Sequence, residues 1–154
     1  MRLNPAWKLN LALIAALFAL AASQGFAQKK KIVPPEQPAT VSSLPFSPGI
    51  LIDGTLYVAG QMGTDPKSGQ IPSNFEDEVK QSLDNIGAVL KAAGMGYDNV
   101  VAVTVYLSDM DLFQRMNAVY RTYFHDPLPT RSTVGVAKLA LPGGHLEITV
   151  IAHK

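Results

Sequence analysis

The run Val100–Leu107 (VVAVTVYL) constrains this chain more than any other stretch, because β-branched residues dominate it and it carries no charge. Such a stretch fits a pleated strand. By period-2 alternation Val101, Val103, Val105 and Leu107 make one apolar face, and Ala102, Thr104 and Tyr106 make the other. The second face is small and uncharged, whereas a sheet face left in water usually carries charge. Both faces are therefore expected to be covered, one by helices and the other by a partner sheet.

The rest of the chain supplies those layers. Ile50–Ile52 and Leu56–Ala59 read as short strands, and Asp53-Gly54 between them is a hairpin signal, since Gly tolerates the positive φ of a tight turn. Gly60-Gln61-Met62-Gly63 ends the second strand with a bulge or a close backbone approach. Ser73-Asn74-Phe75-Glu76 fits a capping box. A helix follows to about Ala93, with Phe75, Val79, Ile86, Leu90 and Ala93 at helical spacing and Gly94 as the stop. Asp109 caps a second helix, Met110 to about Phe124, with Phe113, Met116, Tyr120 and Phe124 as its apolar stripe. Pro129–Val136 and His145–Ile151 read as the last two strands. The order is ββαβαββ: an α+β two-layer domain, one mixed sheet with two helices on one face and the other face free to pack on copies of itself.

The beginning of the chain reads as targeting sequence. Arg2 and Lys8 form a basic n-region, Leu9–Ala22 is nearly all Leu, Ala, Ile and Phe, and small residues precede Gln28. Residues 1–27 thus read as a secretory signal cleaved after Ala27, the alternative being an uncleaved anchor. The expected destination is the periplasm. Residues 28–40, with three lysines and a Pro34-Pro35 and Pro38 cluster, read as a flexible, solvated linker, and 41–154 as the folded domain. The chain has 13 basic and 12 acidic residues. Two basic residues leave with the signal, so the mature balance is 11 against 12, and that argues against a nucleic-acid footprint. There is no cysteine, which excludes thiol nucleophiles and thiolate metal sites. His125, His145 and His153 are scattered without ligand spacing, so no metal site is expected.

Two charges stand out in the late strands. Arg131 shares a face with Thr133 and Gly135, while Glu147 lies opposite Leu146, Ile148 and Val150. A lone Arg and a lone Glu among apolar neighbours fit a site that grips a carboxylate and handles a nearby water or proton. They equally fit a structural ion pair or two strand-edge charges. Asn117, in the middle of the second helix's apolar stripe, needs a partner, and a neighbouring backbone group would serve.

Taken in order, Leu56–Gln61, Asp65–Gly69, Ser82–Ile86, Leu107–Met110, Asn117–Tyr120, Pro129–Ser132 and Leu146–Ile148 resemble the RidA/YjgF family of reactive-intermediate deaminases, from about Pro45 to Ala152. The resemblance implies a chorismate-mutase-like fold and a homotrimer whose sheets pack into a central barrel, with ligand clefts between subunits. It implies hydrolysis of enamine and imine intermediates from amino acids to 2-keto acids and ammonia, without a cofactor. By resemblance Arg131 clamps the substrate carboxylate, Glu147 orients or activates the attacking water, and Gly60, Thr133 and Asn117 complete the cleft. Phe46 stands where the best-known members carry Tyr, and Thr133 where they often carry Cys. These departures keep a second reading open, a non-catalytic trimer that binds small carboxylates or ketoacids. On either reading Arg131 and Glu147 are expected to face one shared crevice formed as copies associate.

Overall fold

The computed structural model describes residues 28–35 and 44–154, so the expected signal, residues 1–27, lies outside the described residues. One seven-stranded mixed sheet organises the molecule. Its strands are β1 (Lys30–Ile32), β2 (Gly49–Ile52), β3 (Thr55–Val58), β4 (Gln61–Met62), β5 (Val100–Leu107), β6 (Thr130–Gly135) and β7 (Leu146–His153). The spatial order is β1-β2-β3-β7-β5-β6, with β4 also paired to β7. Among the described strands only β5 and β6 run parallel, joined by the crossover through helix α2 (Phe113–Tyr120). Helix α1 (Phe75–Ala92) precedes β5.

The helix stripes form as their spacing dictates. Val79, Leu83, Ile86 and Leu90 of α1, with Met116 of α2, are fully buried against Val105, Leu107, Leu146 and Ile148 of the sheet. Both Asp53 (φ 47°) and Gly54 (φ 74°) take the left-handed conformations that a two-residue hairpin demands. Gly94 ends α1 at φ 69°.

Four expectations need correction. Val101 is half exposed, because a register shift between Val100 and Ala102 inserts an extra residue; Val100 takes the core position instead. The α1 cap is Asn74, whose side chain accepts from Asp77 N at 3.0 Å, rather than Ser73. With Asn74 as the cap, Glu76 falls at the second helical position and not the third that a capping box needs, and its carboxylate instead accepts two hydrogen bonds of 2.7 Å from Arg115. The second helix divides into a 3-10 turn (Met110–Leu112), which Asp109 caps through Asp111 N, and the short α2. Phe124 lies beyond α2 yet stays buried, stacked on Tyr120. Finally, part of the expected linker is sheet: β1 pairs antiparallel with β2, and Ile32 enters the core. Its flanking lysines stay outside, as suits an edge strand.

The face of the sheet away from the helices exposes Tyr57, Ala102, Thr104, Thr149 and Ile151, which surround a shallow recess of about 270 Å³. Among the described residues no charged side chain lines it. Tyr57 and Val134, both large apolar side chains, are strongly exposed.

Candidate functional site

Sheet register decides where the two singled-out charges go. Arg131 pairs with Val103 of β5, and Val103 pairs with Val150 of β7 on its other side. Both valines are buried beneath the helices, so Arg131 belongs to the helix face. Glu147 pairs with Tyr106, which also pairs with Val134. Val103 and Tyr106 are an odd number of residues apart on one strand, so their cross-strand partners point to opposite sides. Within one chain Arg131 and Glu147 therefore lie on opposite faces of the sheet, and a crevice that holds both requires a second copy.

The Arg131 half-site sits at the edge where α2 overhangs β6. The guanidinium lies 4.5 Å from the centroid of the Tyr120 ring and 5.7 Å from that of Phe113. Two aromatic faces from one helix thus hold the cation in place. Asn117, Tyr120, Arg121, Leu128, Pro129 and Arg131 line a recess of about 280 Å³. Asn117 therefore meets Arg131 in one recess, as a polar member of the α2 stripe. Tyr120 Oη is buried and, among the described residues, makes no hydrogen bond of standard geometry. Burial pushes its pKa up, against the opposing charge of Arg131. Arg131 has no carboxylate partner among the described residues.

The edge adds backbone donors. Val136 N donates to Leu107 O, so it points toward β5. Alternation then turns the N–H groups of Arg131, Thr133 and Gly135 the other way, to the unpaired side of β6. Thr133 sits two residues from Arg131 on the same helix-side face and offers such a free N–H.

The Glu147 half-site lies on the opposite face. Gly60, Tyr106, Val136, Lys138, Glu147 and Thr149 are among the residues lining a recess of about 330 Å³. Tyr57 pairs with Ile151 and Gln61 with Ile148. Four steps along one chain thus oppose three along the other, a bulge centred near Ala59 and Gly60. The bulge presses the Gly60 backbone onto the Glu147 carboxylate: a Cβ built on Gly60 would overlap Oε1 and stand 2.7 Å from Cδ. Only glycine leaves that carboxylate its place. Phe46 is about half exposed, two residues before Pro48, whose carbonyl accepts from Ala59 N beside Gly60.

Two residues of these half-sites were not singled out from the sequence. Lys138 enters the Glu147 recess from the loop after β6, where loop composition gave no signal. The sequence pattern marks Tyr120 only as an apolar stripe residue; its position three after Asn117 is the available clue. Among the described residues no cluster of three potential metal ligands occurs.

These half-sites belong to a chain with clear relatives. The endoribonuclease L-PSP family model matches residues 36–154. A Bos taurus protein named 2-iminobutanoate/2-iminopropanoate deaminase is 45% identical over 126 residues, 80% of this chain and 89% of that protein. RidA from the Antarctic bacterium Psychrobacter sp. superposes with a TM-score of 0.75 at 32% identity, covering 81% of this chain and 99% of that one. E. coli TdcF with bound serine superposes with a TM-score of 0.73 at 32% identity, covering 81% and 98%.

Proposed function

This chain belongs to the endoribonuclease L-PSP (RidA/YjgF) family, and from that premise we propose that it is an imine deaminase whose site forms between copies. The substrate class is the 2-imino acids named in its relatives, and the products are 2-keto acids and ammonia. Serine in the TdcF relative is consistent with a ligand of amino-acid size.

One observation carries the reading. Arg131 and Glu147, neither in a salt bridge among the described residues, line separate recesses on opposite faces of the sheet, and the recess next to the Glu147 one, on the same face, is lined by uncharged described residues. Packing that face on a second copy removes apolar surface from water and brings the Glu147 recess of one copy toward the open β6 edge of the next. Cyclic repetition closes the assembly, and a homotrimer is the closed form proposed.

In the assembled cleft Arg131 grips the carboxylate with its guanidinium fork, and the Thr133 N–H adds a donor. The imine carbon then faces Glu147 of the neighbouring copy. Glu147 accepts a proton from water as its oxygen adds to the C=N carbon. That proton passes to nitrogen, giving a carbinolamine; Glu147 then takes the proton of the new hydroxyl and delivers it to the amine, so the C–N bond breaks, ammonia leaves, and the carbonyl of the keto acid forms. The protein supplies position and a proton acceptor.

Export belongs to the same proposal. The basic n-region, apolar run and small residues before Gln28 support secretion with cleavage after Ala27 and a periplasmic destination. The mass of the protein recovered from the exported fraction checks it.

The test generates imino acids with an amino-acid oxidase and follows their loss. Purified mature protein accelerates ammonia release, while Arg131→Ala abolishes turnover and leaves the assembly intact. Equal activity in that variant would reject the site. Stabilisation by a keto acid without any turnover would favour the binding-only reading that Phe46, lacking a hydroxyl, keeps open.

A further inference from the structure

Helix α1 carries a polar row inside its buried face. Glu78, Ser82 and Asn85 are separated by four and three residues, so they form one stripe along the helix. Glu78 and Ser82 are fully buried. A charged side chain without exposure is rare unless it is paired and hydrogen-bonded.

Each member of the row binds backbone beside the Glu147 recess. One Glu78 oxygen accepts from His145 N at 2.7 Å and from Leu146 N at 3.3 Å, at the start of β7. The other meets His145 Nδ1 at 2.7 Å. Ser82 Oγ donates to Gln61 O at 2.8 Å. Asn85 Nδ2 donates to Met62 O at 3.1 Å and to Thr64 O at 2.9 Å. The row therefore fixes two segments at once: the entry to β7, one residue before Glu147, and β4, which follows Gly60. Gly63 lets β4 approach the helix this closely, since a Cβ there would stand 2.9 Å from the Glu78 carbonyl carbon.

We infer that Glu78, Ser82 and Asn85 are positioning residues for catalysis, a polar rail that sets the Gly60 backbone and the Glu147 carboxylate at their mutual distance. Apolar packing between a helix and a sheet tolerates sliding by fractions of an ångström. Short, directed hydrogen bonds to named carbonyl and amide groups do not. Met62 pairs with Glu147 itself and Gln61 with Ile148. A shift of β4 on the rail thus moves the Gly60 bulge against the carboxylate. Among the described residues none of the rail's hydrogen bonds reaches the Arg131 half-site, so it acts on the water-handling step and leaves carboxylate capture alone. This inference rests on the reading of Glu147 as the group that handles water.

The experiment compares Ser82→Ala and Glu78→Gln with Lys80→Ala, a control on the exposed side of α1 whose partner is Asp84. Turnover is measured on oxidase-generated imino acid, together with KM, 2-oxobutanoate affinity and melting temperature. Ser82→Ala, the milder change, keeps the test open if Glu78→Gln does not fold. In folded protein the rail variants lose about tenfold or more in kcat, with KM and 2-oxobutanoate affinity unchanged, as expected for sub-ångström misplacement of a reacting group. In a Glu147→Gln background, Ser82→Ala lowers turnover no further, because the group it positions is gone. Wild-type kcat in Ser82→Ala, a parallel rise in KM, or a full multiplicative loss in that background would overturn the inference alone. Wild-type turnover in Glu147→Gln would overturn the site reading and this inference with it.

Discussion

Gly60→Ala is the sharpest single perturbation of the catalytic geometry. A methyl group at this position would overlap Glu147 Oε1, stand 2.7 Å from Cδ and stand 3.0 Å from Cγ. Its neighbours there are the far atoms of one flexible side chain, so the chain can yield by rotating Glu147. That rotation costs about 0.5–1.5 kcal/mol of stability, the range for a side chain pushed off its rotamer. The carboxylate, however, retreats by the order of 1 Å, and a misplacement of that size costs about a hundredfold in rate. The assay is single-turnover loss of oxidase-generated 2-iminobutanoate, read beside thermal unfolding. Gly96→Ala is the control, because a Cβ there meets nothing within 4 Å. Gly60→Ala turning over like Gly96→Ala, at unchanged stability, would refute the claim that Glu147 works from its observed position.

Further outcomes follow from other contacts. Arg131→Lys keeps the charge but loses the planar fork and its seat over Tyr120 and Phe113; KM rises at least about tenfold while assembly persists. The Arg115 fork holds Glu76 down at about 2 from its usual 4.5. A depressed carboxyl stabilises the fold above its unfolded pKa, and that share is lost as pH falls from about 4.5 toward 2. Urea midpoints of wild type and Glu76→Gln should therefore differ at neutral pH and converge near pH 2. Ile32→Ala removes a buried side chain from β1, and denaturant titration should show a loss of about 2–5 kcal/mol. Ile151→Glu places a charge on the free sheet face; light scattering should show dissociation, and activity should fall with it.

The sequence showed its regular elements where period and burial agreed. Phe75, Val79, Ile86, Leu90 and Ala93 kept helical spacing and are all buried. Asp53-Gly54 made its turn, and the glycine run after Val58 proved to be a bulge. Other features were hidden for physical reasons. The irregularity at Val101 depends on pairing with β7, which no local pattern records. Ile32 was masked by three lysines, although an edge strand needs only one buried side chain to join a core. Glu78 looked like an ordinary first-turn acid, because its partners lie 67 and 68 residues away. Arg131 and Glu147 could be picked out as solitary charges. Their relative faces could not, since alternation fixes sides only within a strand and the register between strands is a tertiary fact.

Subunit complementation tests the central claim, that each site takes its guanidinium from one copy and its carboxylate from the next. Arg131→Ala and Glu147→Ala chains are inactive alone. Co-refolded in equal amounts, they form mixed assemblies in which an interface is intact when a chain with Arg131 meets a neighbour with Glu147. Random mixing satisfies that at about one interface in four, so activity returns to about a quarter of wild type. Mixed assemblies verified by mass that stay inactive would contradict the account.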